Sequence, residues 1–215
     1  IDQYQDLYQK SINAPETFWP EMANEFLTWS KPWEQLTESN LMTGTAGWFI
    51  GGKLNACYNC VDRHLPERAQ QTAILWEGDD PSQQATITYQ DLHQRVCQLA
   101  NLLIQRGVKK GDRVCLYMPM IPEAAYAMLA CARIGAVHSV VFGGFSPQAL
   151  QDRILDSDCQ TVITADEGVR GGKTVPLKVN ADLALEQCPN VHSVIVVRHT
   201  GGAVTMQTDR DLWYH

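Results

Sequence analysis

The sequence has no apolar run long enough to cross a bilayer: its longest, from Ala124 to Ala132, ends after nine residues at Arg133. A membrane-spanning helix needs roughly 20 such residues. The first residues, IDQYQDLYQK, have neither a basic flank nor an apolar stretch, so we predict no signal peptide. The sequence therefore does not indicate a membrane protein.

Basic residues are also few, because 17 Lys and Arg stand against 24 Asp and Glu, which gives a net charge of −7 over 215 residues. They form no cluster along the sequence, whereas nucleic acids and anionic membranes are bound by a basic stripe that neutralises phosphate. We therefore expect no nucleic acid and no membrane as partner, and a small molecule or a protein instead.

The seven cysteines are an odd number scattered through apolar segments, which argues against a disulfide framework and favours the reducing cytoplasm. Cys57 and Cys60 form a C-x-x-C pair with His64 nearby, but this is only half of a zinc site and the other half does not follow. We expect no bound metal and interpret both cysteines as buried small hydrophobic residues.

The motifs G-x-S-x-G, H-E-x-x-H and G-x-G-x-x-G do not occur, so nothing indicates a hydrolase, a zinc protease or a dinucleotide-binding protein. The six histidines show no triad or metal spacing. His138 lies in the middle of a predicted strand, and we expect it to be a core residue. No catalytic residue is predicted in this chain.

From about residue 85 the sequence alternates between helical and strand patterns. Strands are predicted to begin near residues 113, 137, 160 and 191, and each is preceded by a helix, beginning at Thr88, Pro122, Ser146-Pro147 and Pro176 in turn. This rhythm predicts an α/β fold with a parallel, doubly wound sheet and flanking helices. Ligands of such sheets bind at the carboxyl ends of the strands, here the loops after Met118, Phe142, Thr164 and Val197.

Residues 1–66 lack that rhythm and hold four of the six tryptophans, which we expect to be packing anchors. Helical spacing predicts one helix around Tyr4 to Tyr8 and another from Leu54 to Leu65. We therefore divide the chain into an aromatic-rich N-terminal extension, 1–66, and a first α/β subdomain, 67–215. The sequence ends on an aromatic cluster, from which we expect a segment of a longer protein with the second region incomplete at its C-terminus.

The strongest local signal is the loop from Asp166 to Pro176, which is rich in glycine, contains Arg170 and Lys173, and lies between a predicted strand and a predicted helix. Glycines let the backbone approach an oxyanion, the helix N-terminus offers N–H groups, and the two cations supply charge. The loop is one residue short of the spacing of a Walker A motif. It is either a phosphate site or a plain surface turn with solvated charges.

A second candidate is Phe142-Gly-Gly-Phe-Ser146, which leaves the preceding strand. In a parallel sheet its exit loop and the Asp166–Pro176 loop would lie within one or two strand spacings, about 4.8 Å each, so that one ligand could touch both. An aromatic face beside Gly143 and Gly144 suits a stacked purine. The alternative is a tight turn in which both glycines supply a positive φ and Phe142 belongs to the core.

Several motifs together resemble the acetyl-CoA synthetases, the AMP-forming acetate-CoA ligases of the adenylate-forming or AMP-binding superfamily. In chain order they are Trp48–Asn55, Tyr58–Leu65, Thr88–Leu92, Gly111–Val114, Tyr117–Glu123, Arg133–Ser146 and Val169–Lys173. The resemblance implies part of the large N-terminal domain of an adenylate-forming enzyme. The whole enzyme would convert acetate, ATP with Mg²⁺, and CoA to acetyl-CoA, AMP and pyrophosphate through an acetyl-adenylate.

The resemblance also implies a CoA site. The adenine of CoA would lie against Phe142, Gly143 and Gly144, and its phosphates would meet the turn formed by Arg170, Gly171, Gly172 and Lys173. Lys173 stands where many relatives have a second Arg, which keeps the charge but loses the bidentate fork.

The Thr/Ser/Gly-rich ATP loop T-S-G-S-T-G-x-P-K-G of that family does not occur in the 215 residues. We therefore expect this chain to hold part of the CoA site and no cofactor of its own, with Mg²⁺ implied only for the whole enzyme. We expect it to be inactive without the downstream part of the same polypeptide. The alternatives are a propionyl-CoA synthetase segment and a stand-alone CoA- or nucleotide-binding module without catalysis.

Overall fold

The structure, a computed structural model, describes residues 2–40 and 42–215. The chain divides into two compact units, Ile1–Arg63 and His64–His215. None of the described helices is long and apolar enough to span a membrane.

The first unit combines short helices with one antiparallel hairpin. Its elements are α1 (Asp2–Asn13), α2 (Pro15–Phe26), β1 (Gln35–Asn40), β2 (Thr45–Ile50) and α3 (Ala56–Cys60). The helical patterns near Tyr4 and Cys57 are thus confirmed, whereas the hairpin was not predicted. A short 3-10 turn, Asp62–His64, follows α3.

Two of the four tryptophans in this unit are packing anchors, as expected. The rings of Trp29, Trp33 and Phe49 lie with their centroids 5.1 to 5.4 Å apart, and the Trp29 indole N–H donates to the carbonyl of Ala23 at 3.0 Å. Trp19 and Trp48, by contrast, are 42% and 50% exposed among the described residues.

The second unit contains a five-stranded parallel sheet. Its strands are β5 (Arg113–Met118), β6 (Val137–Phe142), β7 (Thr161–Ala165), β10 (Ser193–Val197) and β11 (Asp211–Trp213). They lie in the order β11-β10-β7-β5-β6. The helices are α4 (Leu65–Arg68), α5 (Tyr89–Gln105), α6 (Pro122–Ile134), α7 (Pro147–Ser157) and α8 (Leu177–Leu185). The predicted α/β class with a parallel sheet and flanking helices is confirmed.

Local sequence signals set the helix starts. Thr88 and Asp91 form a reciprocal capping box at the start of α5, and Pro122 opens α6 at its first turn. The Ser146 hydroxyl accepts the N–H of Ala149 at the start of α7. α5 packs against α6 and α7 against α8, and every residue of β7 and β10 is buried.

Two small hairpins complete the second unit: β3 (Thr72–Glu77) pairs with β4 (Gln84–Thr88), and β8 (Gly168–Arg170) pairs with β9 (Lys173–Val175). The expectation of an irregular loop up to Pro176 was therefore wrong, because Arg170 and Lys173 are paired across a two-residue turn.

His138 is exposed, so the prediction that it is a core residue was wrong. β6, on which it lies, is the edge strand of the described sheet, and β6 is more exposed than its neighbour β5. Alternation along the sequence does not distinguish an edge strand from a central one, so this error follows from the strand order.

Candidate functional site

A cavity of about 640 Å³ opens where β5, β6 and β8 end. Its walls come from the β3–β4 hairpin, the segment after β5, the turn after β6 and the β8–β9 hairpin, and from His199 after β10. β6 and β7 lie on either side of β5, two strand spacings apart. The loops that follow these strands therefore meet at one edge of the sheet, where a doubly wound fold binds its ligands.

The two glycine-containing loops singled out in the sequence meet in this cavity. The guanidinium carbon of Arg170 lies 4.9 Å from the centroid of the Phe142 ring, a cation–π contact. Phe142, Gly143, Gly144, Arg170 and Gly172 all line the cavity. Phe142 is 47% exposed, so it does not belong to the core, and part of its ring is available to a ligand.

Gly143 and Gly144 are needed for space and not for an unusual backbone angle, since neither has a positive φ. A Cβ at Gly144 would lie 2.5 Å from an edge carbon of the Phe142 ring and 3.2 Å from a terminal nitrogen of Arg170. A Cβ at Gly143 would lie 3.2 Å from the carbonyl oxygen of Met118. Gly144 therefore leaves the room in which Arg170 and Phe142 stack.

The hydroxyl of Tyr117 holds the turn after β6 in place through hydrogen bonds. It donates to the carbonyl of Phe145 at 2.8 Å and lies 3.3 Å from that of Gly143. The side-chain amide of Asn180 donates to the same hydroxyl at 3.3 Å. Burial raises the pKa of the Tyr117 phenol still further above neutral pH, where it is a donor in any case. This role of Tyr117 was not predicted from the sequence, because a tyrosine in an apolar strand is typical of a core residue.

The contact of the Gly171–Gly172 turn with Asp79 was also not predicted from the sequence. Both glycines have positive φ, +56° and +71°, as a two-residue hairpin turn requires. Their N–H groups donate to the two carboxylate oxygens of Asp79, at 3.0 and 2.8 Å. The anion on this turn is thus a side chain of the β3–β4 hairpin.

Lys173 and Gly171 are exposed on the same turn, and neither lines the cavity. Lys173 pairs with Arg170 in the short β8–β9 ladder, so that the two cationic residues lie side by side at the cavity edge. Of the seven residues expected at a CoA site, five line the cavity and two flank it.

Asp166 orders the segment that brings His199 into the cavity wall. Its buried carboxylate accepts N–H groups from Glu167, His199, Thr200 and Gly201 at 2.7 to 3.3 Å. Burial alone would raise the pKa of this carboxyl, but these hydrogen bonds outweigh it and hold the pKa below its ordinary value. Asp166 therefore joins the end of β7 to the segment after β10.

A buried ion network anchors the rest of the same segment. The ammonium of Lys178, whose side chain is 1% exposed, contacts Asp182 at 2.7 Å, Asp211 at 2.9 Å and the carbonyl of Thr205 at 2.8 Å. Arg210 also contacts both carboxylates. The network ties α8 to β11 and to the chain between β10 and β11.

Within residues 2–40 and 42–215, no group of three or more His, Cys, Asp or Glu side chains could hold a metal ion. Cys57 is buried as predicted, but Cys60 at the end of α3 is exposed, so its assignment as a buried residue was wrong.

Two family models match the chain. The model described as "AMP-binding enzyme" covers residues 61–212, and the one described as "Acetyl-coenzyme A synthetase N-terminus" covers residues 4–60. Together they match both compact units, with the change from one model to the other close to the division at Arg63.

Similar proteins include an acetyl-coenzyme A synthetase of Saccharophagus degradans, 64% identical over 100% of this chain and 33% of its own length. Acetyl-coenzyme A synthetase 2 of Pseudomonas aeruginosa is 63% identical over the same shares. Among solved structures, acetoacetyl-CoA synthetase from Streptomyces lividans superposes with a TM-score of 0.87 at 28% identity, over 98% of this chain and 32% of that one.

The chain thus spans about a third of the length of the curated relatives that it matches. The AMP-binding enzyme model covers most of the chain. It includes all the cavity residues and the whole parallel sheet except the end of β11. The chain belongs to the AMP-binding enzyme family.

Proposed function

We propose that this chain supplies part of the CoA nucleotide site of an acetyl-CoA synthetase. The whole enzyme would join acetate to ATP, releasing pyrophosphate and forming acetyl-adenylate, and the CoA thiol would then displace AMP to give acetyl-CoA. The relatives named acetyl-coenzyme A synthetase support this proposal, because their similarity extends over the full chain.

The observation that carries the proposal is the stacking of Arg170 on Phe142 at the cavity edge. The half-exposed Phe142 ring offers a face to the adenine. Arg170 and Lys173 provide two positive charges for the phosphates.

The cavity suits such a ligand in size and chemistry. Its volume of about 640 Å³ lies within the range of about 300 to 1,000 Å³ typical of small-molecule sites. Its walls combine apolar side chains, including Pro119, Ile121 and Leu177, with polar ones. The polar side chains are Arg170, His199, Gln83 and the carboxylates of Glu77, Asp79 and Asp80. Apolar walls bind a base, and polar groups placed among them orient a ligand.

Mg²⁺ would enter the reaction with ATP in the whole enzyme. The described residues offer no group of three carboxylate, imidazole or thiolate ligands for it, so we assign no step of the metal to this chain. The role proposed for the chain is to bind and orient CoA.

Calorimetric titration of the purified chain tests the proposal. CoA and adenosine 3′,5′-bisphosphate should bind at the same site and compete, whereas pantetheine, which lacks the nucleotide, should not compete with the bisphosphate. The Arg170→Ala variant should bind both nucleotides more weakly.

Arg198 provides a matched control, since its guanidinium stacks on Trp213 at 4.6 Å but does not line the cavity. Arg198→Ala should keep the wild-type affinity. Equal losses in the two variants, or tighter binding of pantetheine than of the bisphosphate, would contradict the proposed site.

A further inference from the structure

The carboxylate of Asp79 joins two walls of the cavity that are distant in sequence. Asp79 lies between β3 and β4, and its two oxygens accept the N–H groups of Gly171 and Gly172 between β8 and β9. Asp79 and Gly172 both line the cavity. The contact is therefore a tether across the site, placed directly beside Arg170.

The β3–β4 hairpin can present this carboxylate because it is itself fixed elsewhere. The indole N–H of Trp76 donates to the carbonyl of Met120 at 2.7 Å, which attaches the hairpin to the segment after β5. The loop is closed by the N–H of Gly78 donating to the carbonyl of Gln83 at 2.7 Å. Neither bond involves the Asp79 side chain, so Asp79 projects from a loop that is closed without it.

The β8–β9 hairpin, by contrast, is too short to be well stabilised by its own strand pairing. Each strand has three residues, and the turn is two glycines, the residue type with the greatest backbone freedom. A short two-stranded hairpin is marginal in water. Two hydrogen bonds to one carboxylate restrict both glycines at once, and Arg170 is the residue immediately before them.

The same carboxylate also decides which groups remain for a phosphate. With the N–H groups of Gly171 and Gly172 donated to Asp79, the turn offers an anion the side chains of Arg170 and Lys173. A phosphate at the backbone N–H groups would have to displace a carboxylate and then lie next to its negative charge, which is unfavourable.

We propose that Asp79 is a positioning residue: its carboxylate holds the Gly171–Gly172 turn so that Arg170 lies over Phe142, and it leaves the phosphates of the nucleotide to the side chains of Arg170 and Lys173. This inference rests on the proposed function of the cavity as a CoA nucleotide site.

The test compares Asp79→Ala and Asp79→Asn with the wild-type chain by amide hydrogen exchange in the absence of ligand. The amides of Gly171 and Gly172 should exchange about tenfold faster in Asp79→Ala, since a charge-assisted hydrogen bond is lost at each. Asp79→Asn retains one carbonyl oxygen and should restore protection partly. Unchanged exchange in Asp79→Ala would overturn the tether.

Titration with CoA then measures the consequence for binding. Asp79→Ala should weaken CoA binding about five- to tenfold, and Asp79→Asn should lie between that variant and the wild type. Glu186→Gln is the charge control, because Glu186 is exposed in the same unit and does not line the cavity; this variant should not weaken binding. Tighter binding by Asp79→Ala would overturn the inference, because the carboxylate would then be a competitor of the phosphate.

The two proposals fail in different ways. If the wild-type chain does not bind CoA, the proposed function fails, whatever the exchange rates show. If the wild-type chain binds CoA and Arg170→Ala weakens that binding, but Asp79→Ala changes neither binding nor exchange, the positioning role of Asp79 alone is refuted.

Discussion

Replacement of Lys178 by methionine is expected to destabilise the second unit strongly. The ammonium is almost completely buried and compensates two carboxylates, those of Asp182 and Asp211, of which the latter has a fully buried side chain. Lys178→Met keeps the length of the apolar stem and removes the charge. The two carboxylates then share Arg210 as their remaining cation.

The size of the effect follows from this arrangement. Removing one partner of a buried ion pair costs about 3 to 5 kcal/mol, and the remaining contacts of Arg210 place the expected loss near the lower end, about 3 kcal/mol. For a chain of this size, each kcal/mol lowers the melting temperature by roughly 2 to 4 °C. We therefore expect a decrease of roughly 6 to 12 °C.

Urea unfolding followed by circular dichroism measures the loss directly, and a thermal scan measures the shift in melting temperature. Lys109→Met is the control, because Lys109 is exposed in the same unit, and its replacement should change the free energy of unfolding by less than about 0.5 kcal/mol. A loss below about 1 kcal/mol for Lys178→Met would refute the argument that a buried, mutually compensating network anchors β11.

Three further predictions concern the turn after β6, acid stability and activity. Tyr117→Phe removes the hydroxyl that donates to Phe145, so calorimetry should show CoA binding weakened about three- to tenfold with the fold retained; wild-type affinity would contradict the anchoring role. Hydrogen bonds hold the pKa values of Asp166 and Asp211 below their ordinary value of 3.8, although burial opposes this. Their contribution to stability is therefore complete above that value and is lost as the pH falls through the lowered pKa values, so acid titration should destabilise the wild type more steeply than Asp211→Asn. The chain alone should catalyse no acetate-dependent exchange of pyrophosphate into ATP, because it lacks the phosphate loop of the family; exchange above a buffer control would be contrary to this expectation.

The parts of the fold that the sequence predicted are those determined locally. The caps at Thr88 and Ser146 and the first-turn proline Pro122 set the starts of three helices. The continuous apolar runs of β5, β7 and β10 match strands buried on both faces. These signals lie within a few residues of the elements that they determine.

The errors and omissions concern features that depend on distant contacts. β8, β9 and β11 have only three residues each. They are strands because of the segments they pair with and not because of their composition. The exposure of His138 follows from the position of β6 at the sheet edge, which depends on strand order.

The residues of the candidate site were likewise predicted where the signal is local and missed where their role depends on distant contacts. Phe142 and Arg170 were predicted because glycines accompany them in loops after strands. Tyr117 and Asp79 were not, since Tyr117 acts on a turn 28 residues away and Asp79 on a turn 92 residues away. Gly144 was predicted as a site residue, but the reason why a glycine is needed there was not. A glycine is needed because Arg170 stacks on Phe142 in the space that a side chain would fill.

The central claim, that Arg170 acts on CoA and not on ATP, is tested most directly by measuring both half-reactions of one variant. A suitable enzyme is a chimaera in which this chain replaces the matching third of the Saccharophagus degradans relative, to which it is 64% identical. Arg170→Ala should raise the CoA concentration required for thioester formation roughly 10- to 100-fold, since a charge-assisted hydrogen bond to phosphate contributes about 1.5 to 3 kcal/mol. Lys173→Ala should have a smaller effect in the same direction, because a flexible ammonium binds phosphate as a point charge.

Acetate-dependent pyrophosphate exchange, which does not involve CoA, should stay nearly unchanged in Arg170→Ala, and Arg198→Ala should leave both half-reactions at the wild-type level. An equal loss in the two half-reactions of Arg170→Ala, or no loss in either, would contradict the account.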